Sequence, residues 1–202
     1  MSLSPEALQI LVGELSKFPG VGEKTAMRYA VSLLKGGNKR ISDLQRSLEE
    51  LRTQVGTCPT CHFWTQDDSC KVCSDHQREP HKLCVVRDAP DVLALERQRK
   101  QPWKYHVLQG LLSPMAGVGP SRIRLDTLFS RLESESIEEI ILAIDATLEG
   151  DATAFFIRDH LQKHYPHVVL SRTALGIPAG SSVEYLDPST LEHALSHRVR
   201  FE

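Results

Sequence analysis

The stretch 139-EIILAID-145 decides the fold class of this sequence. The run 139–144 is apolar on both alternating faces, which is typical of a strand in the middle of a parallel sheet. An acidic residue, Asp145, follows immediately, and parallel sheets place ligands at the carboxyl ends of such strands. The stretch therefore predicts an α/β domain with this strand at its centre.

Strand and helix patterns alternate on both sides of this stretch. The predicted strands are 83–86, 105–108 and 168–170, and the predicted helices are 91–100, 123–132, 151–164 and a short last one at 190–197. Such alternation implies a parallel sheet whose strands are joined by helical crossovers. Cys84 lies in one of these strands, where we expect a buried thiol that acts as a small hydrophobic side chain.

Four cysteines upstream of the sheet form two pairs with the spacing of a metal site. They are Cys58, Cys61, Cys70 and Cys73, in the motifs CPTC and CKVC. Four thiolates suit a tetrahedral Zn²⁺, and an ion held by four sulfurs is structural rather than catalytic. The alternative is two disulfides, which a reducing cytosol disfavours. His62 and His76 are close enough in sequence to compete as ligands, but we expect them at the surface beside the site.

The first 55 residues predict amphipathic helices joined by glycine turns. The third helix is expected to begin at Ser42, because Ser42 and Gln45 have the spacing of a capping box. Its apolar face is formed by Leu44, Leu48, Leu51 and Val55.

The turn 18-FPGVGEKTA-26 between the first two helices is typical of a helix-hairpin-helix, which binds the DNA backbone without reading its sequence. Its glycines permit close backbone approach, and the free N–H groups of the following helix suit phosphate. The candidate DNA-binding residues are Gly20, Val21, Gly22, Lys24 and Arg28. A plain turn with a glycine cap is the alternative; a nucleotide P-loop is excluded because Glu23 stands where that motif has glycine.

Composition limits the classes of function. A net charge of -2 excludes a generic polycationic nucleic-acid coat, whereas residues 1–57 alone carry a net +2 and remain suited to DNA. No apolar run approaches the roughly 20 residues of a membrane span. No basic segment followed by an apolar core opens the chain, so we expect a cytoplasmic protein.

The acidic residues after the central strand leave two interpretations open. Asp145, Glu149 and Asp151 could hold Mg²⁺, or Asp151 could cap the next helix after a turn at Gly150. A magnesium site would need a further carboxylate at the end of the 83–86 strand. Arg87 stands there instead and would repel a cation, and Asp88 would point to the other side of a continuing strand. Catalysis is therefore not expected.

These segments, taken in order, resemble the bacterial recombination mediator family RecR over essentially the whole chain. The similar stretches are 18-FPGVGEKTAMRYA-30, the two CxxC pairs, 83-LCVVRDAPDVLALE-96, 105-YHVLQGLLSPMAGVGP-120, 140-IILAIDATLEGDATAFFI-157 and 176-GIPAGSSVEYLDPSTLEHALSHR-198. The resemblance implies a helix-hairpin-helix domain at 1–55, a four-cysteine zinc finger at 56–80, a Toprim domain at 81–175 and a C-terminal segment at 176–202 in oligomer contacts.

The resemblance also implies a function. Members of this family are not enzymes; they act with RecO, and often RecF, to help RecA replace single-strand-binding protein at DNA gaps. They form dimers and ring-like tetramers that can encircle DNA, and we expect association with the nucleoid. Asp145, Glu149 and Asp151 fall on the family's acidic region, where a partner contact or a structural role is expected. The family usually carries Glu where this chain has Arg87. The competing hypothesis is a magnesium-dependent Toprim-type nuclease or primase-like enzyme.

Overall fold

The computed structural model describes residues 4–97, 103–174, 176–178, 180–198 and 200. The chain divides into two compact units, Met1–Val55 and Gly56–Glu202. Among the helices of the described residues, none combines the length and the apolar character that crossing a membrane requires.

The first unit consists of three helices: α1 (Glu6–Leu15), α2 (Glu23–Lys35) and α3 (Gly37–Gln54). Its buried core is small and is formed by Val12 of α1 with Ala26 and Ala30 of α2. The predicted start of α3 at Ser42 is wrong. Gly37 adopts a φ of +70°, which turns the chain directly after α2, so the helix begins there and Ser42 lies inside it.

The second unit contains a four-stranded parallel sheet, as predicted. Its elements are β1 (Gly56–Thr57), β2 (Trp64–Thr65), β3 (Glu79–Val86), α4 (Ala89–Glu96), β4 (Trp103–Val107), α5 (Leu125–Ser134), β5 (Glu139–Ala143), α6 (Leu148–His164), β6 (Val169–Arg172) and α7 (Pro188–Ser196). The strand order is β4-β3-β5-β6, while β1 and β2 pair separately as an antiparallel ribbon. The predicted central strand at 139–144 is β5, an inner strand of the sheet.

The two faces of the sheet are covered by different segments of the chain. In β3, Leu83 and Val85 belong to the core that includes residues of α5 and α6. Cys84 and Val86 belong to the opposite core, which contains three of the clustered cysteines and Val92 of α4. Because side chains alternate along a strand, the four-cysteine segment acts as the cover of one sheet face.

The predicted start of α4 at Asp91 is wrong by a short distance. The strand β3 ends at Val86, and α4 follows after Asp88, whose backbone N–H donates to the carboxylate of Asp91 at 2.9 Å. Asp88 therefore lies at a helix start rather than on a continuing strand. The last residues of the predicted helix, 98–100, lie outside the described residues.

Candidate nucleic-acid interface and metal centre

The hairpin between α1 and α2 is a tight turn closed by backbone hydrogen bonds. Gly20 has a φ of +76°, a left-handed conformation that favours glycine, and the N–H of Val21 donates to the carbonyl of Phe18 at 3.0 Å. Gly22 precedes α2, and its carbonyl accepts from the N–H of Ala26 at 2.9 Å. The turn therefore presents the N-terminus of α2 at the surface.

The charges at this turn are available to a ligand. Lys24 and Arg28 are exposed and lie one helical turn apart on α2. Neither forms an ion pair with any residue that the structure describes. Within the same described part, the backbone N–H groups of Glu23 and Lys24 have no acceptor, as expected for the first turn of a helix. The five predicted residues are thus together at one corner of the first unit.

The four cysteines come together as a compact group. Their sulfur atoms lie within 4.8 Å of one another, with 3.3 Å between Cys61 and Cys70 and 3.9 Å between Cys58 and Cys73. Zn–S bonds of about 2.3 Å in a tetrahedron place sulfurs about 3.8 Å apart, so the residues fit a four-thiolate ion. Among the described residues, this is the one place where three or more His, Cys, Asp or Glu ligand atoms can reach one ion.

The thiols of the group form hydrogen bonds with one another and with the backbone. Hydrogen bonds among the thiols raise the pKa of Cys61 and lower the pKa of Cys70, so the sulfurs share their protons unevenly. The backbone N–H of Cys73 donates to Sγ of Cys70 at 3.4 Å, which stabilises a thiolate there. Burial raises the pKa of the Cys84 thiol to about 12, as suits an inert core cysteine.

His62 was predicted to lie at the surface, and this prediction is wrong because its side chain is buried. His76 is exposed, as predicted. His62 is buried with a φ of +61°, its Nε2 lies 2.8 Å from Oγ1 of Thr127, and its ring meets His106 edge-on. Beside it, the N–H of Val107 in β4 donates to the carbonyl of Cys61 at 2.8 Å. These contacts fasten the cysteine segment to the sheet, and no residue pattern in the sequence indicates them.

The acidic edge of the sheet is occupied by arginines. The guanidinium of Arg87 donates to the carboxylates of both Asp145 and Asp88. The hydrogen bond with Asp88, followed by the charge of Asp145, raises the pKa of Arg87. Arg172, which no sequence pattern indicates, donates to the carboxylate of Asp151 at 2.6 Å and to the backbone carbonyl of Asp145 at 3.2 Å.

The prediction that Asp151 caps the helix after the acidic residues is wrong. Thr147, not Asp151, caps the helix, because its Oγ1 accepts from the N–H of Gly150 at 3.1 Å. Gly150 is required for close approach rather than for a turn before the helix. A Cβ at this position would lie 1.9 Å from the carbonyl oxygen of Asp145.

These residues do not fit a magnesium ion. Asp145 and Asp151 each already accept from a guanidinium of the same chain, and Glu149 is exposed without joining them in a ligand cluster among the described residues. A cation would have to displace Arg87 from Asp145, and the positive charge of Arg87 opposes its entry.

The fold and its sites define a class: a multidomain protein with a helix-hairpin-helix, a four-cysteine metal site and a Toprim-type parallel sheet. Family models match in three parts, "RecR, helix-hairpin-helix" at residues 8–52, "Toprim domain" at 81–174 and "RecR, C-terminal" at 176–199. The chain belongs to the RecR family of recombination proteins, and this membership implies a role in recombinational repair.

Relatives named "Recombination protein RecR" match over nearly the full length. The protein of Pelobacter propionicus is 41% identical over 198 residues, which cover 98% of each chain. That of Synechococcus sp. (strain JA-3-3Ab) is 39% identical over 191 residues, or 95% of this chain and 96% of the relative. That of Thermosynechococcus vestitus is 37% identical over 201 residues, covering 100% and 98%.

Proposed function

We propose that this protein is a DNA-binding mediator that acts without catalysing a reaction on DNA. The carrying observation is the hairpin corner, where exposed Lys24 and Arg28 stand beside unpaired N–H groups at the N-terminus of α2. Phosphate oxygens satisfy both features, whereas base edges are not needed. The site residues are Gly20, Val21, Gly22, Lys24 and Arg28.

In the cell, we place the protein in the cytoplasm with the nucleoid DNA. There it acts with RecO, and with RecF where present, to help RecA replace single-strand-binding protein at gaps. The test is RecA filament formation on gapped DNA coated with single-strand-binding protein. RecO together with this protein should accelerate it, and omission of either should abolish the gain. No gain with both present would contradict the mediator role.

The alternative of a magnesium-dependent nuclease or primase-like enzyme finds no support at the acidic edge. The ion pair between Arg87 and Asp145 occupies the position that such chemistry needs. Incubation with plasmid and single-stranded DNA plus Mg²⁺ should leave both substrates intact. Nicking or primer synthesis by the pure protein would overturn this part of the proposal.

We propose that Cys58, Cys61, Cys70 and Cys73 hold a structural Zn²⁺. Their four sulfurs lie within 4.8 Å of one another, and an ion bound by all four would have no position left for water or substrate. Elemental analysis of the purified protein should find one zinc per chain. Absence of zinc, or another metal in its place, would contradict this assignment.

Self-assembly into a dimer or a ring-like tetramer is the third part of the proposal. The structure describes every residue of α3, and none of them is buried. The exposed apolar residues of α3, together with Val55 directly after it, repeat at heptad spacing: Ile41, Leu44, Leu48, Leu51 and Val55. This spacing suits a self-complementary helix pair, so we place a second copy of the chain on this face. The C-terminal segment also exposes Val183, Tyr185 and Leu195, which suits oligomer contacts.

Light scattering with Leu48→Glu/Leu51→Glu beside the natural chain tests the assembly. The natural chain should have the mass of a dimer or larger, and the variant a lower mass. A monomeric natural chain would contradict the proposal.

We propose different roles for Asp145, Glu149 and Asp151, according to the contacts that each side chain makes. Asp145 and Asp151 hold the sheet edge together through arginines. Glu149 is exposed beside the exposed Leu148, and we assign this pair to contact with the partner protein.

A further inference from the structure

A second basic feature follows the hairpin along α2 and into α3. Between Glu23 and Asp43 the sequence has five lysines and arginines and no acidic residue: Lys24, Arg28, Lys35, Lys39 and Arg40. All five are exposed, and none forms an ion pair within the described part of the chain. Like charges without partners repel one another, so such a run costs stability unless a ligand uses it.

Three of these cations line one groove between α2 and α3. The groove has a volume of about 540 Å³ and is lined by Arg28, Lys35 and Arg40 together with Met27, Val31, Ser32 and Gly36. The lining contains no acidic residue. Its first cation, Arg28, is also a residue of the hairpin site, so the groove continues directly from that site.

The side-chain stem of Arg40 lies against the backbone of Gly36. A Cβ at position 36 would lie 2.3 Å from Cδ and 2.8 Å from Cβ of Arg40, so the stem of Arg40 lies against the bare backbone of Gly36. The stem of Arg40 therefore packs on this glycine beside the groove, and a larger residue at position 36 would displace it.

The length of the basic surface matches several phosphates. Lys24 and Lys35 are separated by eleven residues of one helix, which corresponds to about 16 Å. One strand of B-form DNA carries a charge about every 3.4 Å, so about five phosphates span that distance. An extended polyanion fits this arrangement better than a single small anion does.

We propose that the groove between α2 and α3 binds the backbone of a DNA strand through Lys35 and Arg40. The inference rests on the proposed binding of DNA at the hairpin and extends its path along α2. Lys35 and Arg40 bind phosphates that follow those held by Lys24 and Arg28.

The test compares two double variants with equal loss of charge. Lys35→Gln/Arg40→Gln removes the groove cations, whereas Arg46→Gln/Arg52→Gln removes two exposed cations of α3 that do not line the groove and that pair with Asp43 and Glu49. Binding of a fluorescent single-stranded oligonucleotide is followed by anisotropy at a series of salt concentrations. Thermal melting checks that both variants fold.

The groove variant should lose about 0.7 from the slope of log affinity against log salt for each lost contact, or about 1.4 in total. This corresponds to roughly 25-fold weaker binding at about 0.1 M salt. The control variant should change much less in both quantities.

Failure of this inference differs from failure of the proposed function. If the natural chain binds DNA and Lys24→Gln/Arg28→Gln weakens it, but the groove variant behaves like the control, only the groove proposal is overturned. If the groove variant loses affinity for polyglutamate but not for DNA, the groove binds an acidic protein segment and the proposal is again wrong. If the natural chain binds no DNA at low salt, the proposed function itself fails.

Discussion

The basic surface of the first unit and the acidic edge of the sheet differ in how their charges are paired. Lys24, Arg28 and the groove cations have no ionic partner in the described part of the chain. At the sheet edge, Asp145 and Asp151 are each bound by an arginine that follows or ends a neighbouring strand. Both surfaces are charged, but the cations of the first are unpaired, whereas Asp145 and Asp151 of the second already have ionic partners.

This difference leads us to expect that phosphate groups bind at the basic surface of the first unit. When an unpaired lysine or arginine binds a phosphate, it releases cations condensed on the nucleic acid, which favours binding. A carboxylate already bound to a guanidinium must lose that partner before it can bind a cation. We therefore propose that the Toprim-type sheet serves here as a structural frame, since a fold by itself does not define a chemistry.

The largest expected effect comes from removing the metal that supports this frame. Cys61→Ser should abolish zinc binding and unfold or severely loosen the second unit, because Cys58, Cys61 and Cys70 form part of one sheet-face core. Structural zinc contributes an apparent ~10–16 kcal/mol in small modules. That is comparable with the roughly 5–15 kcal/mol that stabilises a whole domain. Thermal melting and elemental analysis measure both effects.

The matched control is Cys84→Ala. Cys84 lies in the same core but outside the ligand group, so this variant should keep its zinc and lose only about 1 kcal/mol of stability. Full zinc content in the Cys61 variant, with unchanged melting, would show that these sulfurs do not hold a metal.

A smaller effect is expected from reversing the charge at the acidic edge. Arg87→Glu removes the guanidinium from Asp145 and places a carboxylate beside it, so this variant should gain affinity for Mg²⁺. At a concentration ten times the Kd, binding raises the free energy of unfolding by about 1.4 kcal/mol. Melting with and without Mg²⁺ measures the shift.

The natural chain and Arg87→Gln serve as controls, since neither adds a carboxylate. Both should melt at the same temperature with and without Mg²⁺. Stabilisation of the natural chain that disappears in Asp145→Asn would mean that the edge binds cations despite its arginine.

The smallest effect is expected from the ion pair itself. Both side chains of the Arg87–Asp145 pair are 41% exposed, so Asp145→Asn should cost at most about 1 kcal/mol. Chemical denaturation would detect a larger loss, which would mean that the acidic edge supports the fold more strongly than a surface pair can.

The sequence supports the main architecture because its signals are local. The apolar run of β5 predicts an inner strand and the spacing of the four cysteines predicts a metal site, and the structure has the inner strand and brings the four sulfurs together. The turn at residues 18–26 is likewise predicted from residues that are adjacent in the sequence. The start of α3 was wrong because the left-handed turn at Gly37 overrides the capping pattern at Ser42.

What the sequence did not predict depends on contacts between distant residues. Arg172 lies 21 residues after Asp151, and no motif joins them. His62 was expected at the surface beside the cysteines, yet it contacts Thr127, 65 residues away. The groove at Lys35 and Arg40 had one visible signal, the acid-free run between Glu23 and Asp43.

The most direct test of the account is a salt titration of DNA binding by Lys24→Gln/Arg28→Gln beside the natural chain. For two lost contacts with single-stranded DNA, the slope of log affinity against log salt should fall by about 1.4. The variant should still melt like the natural chain, because both side chains are exposed. An unchanged slope and affinity in a folded variant would contradict the claim that the hairpin holds the phosphate backbone.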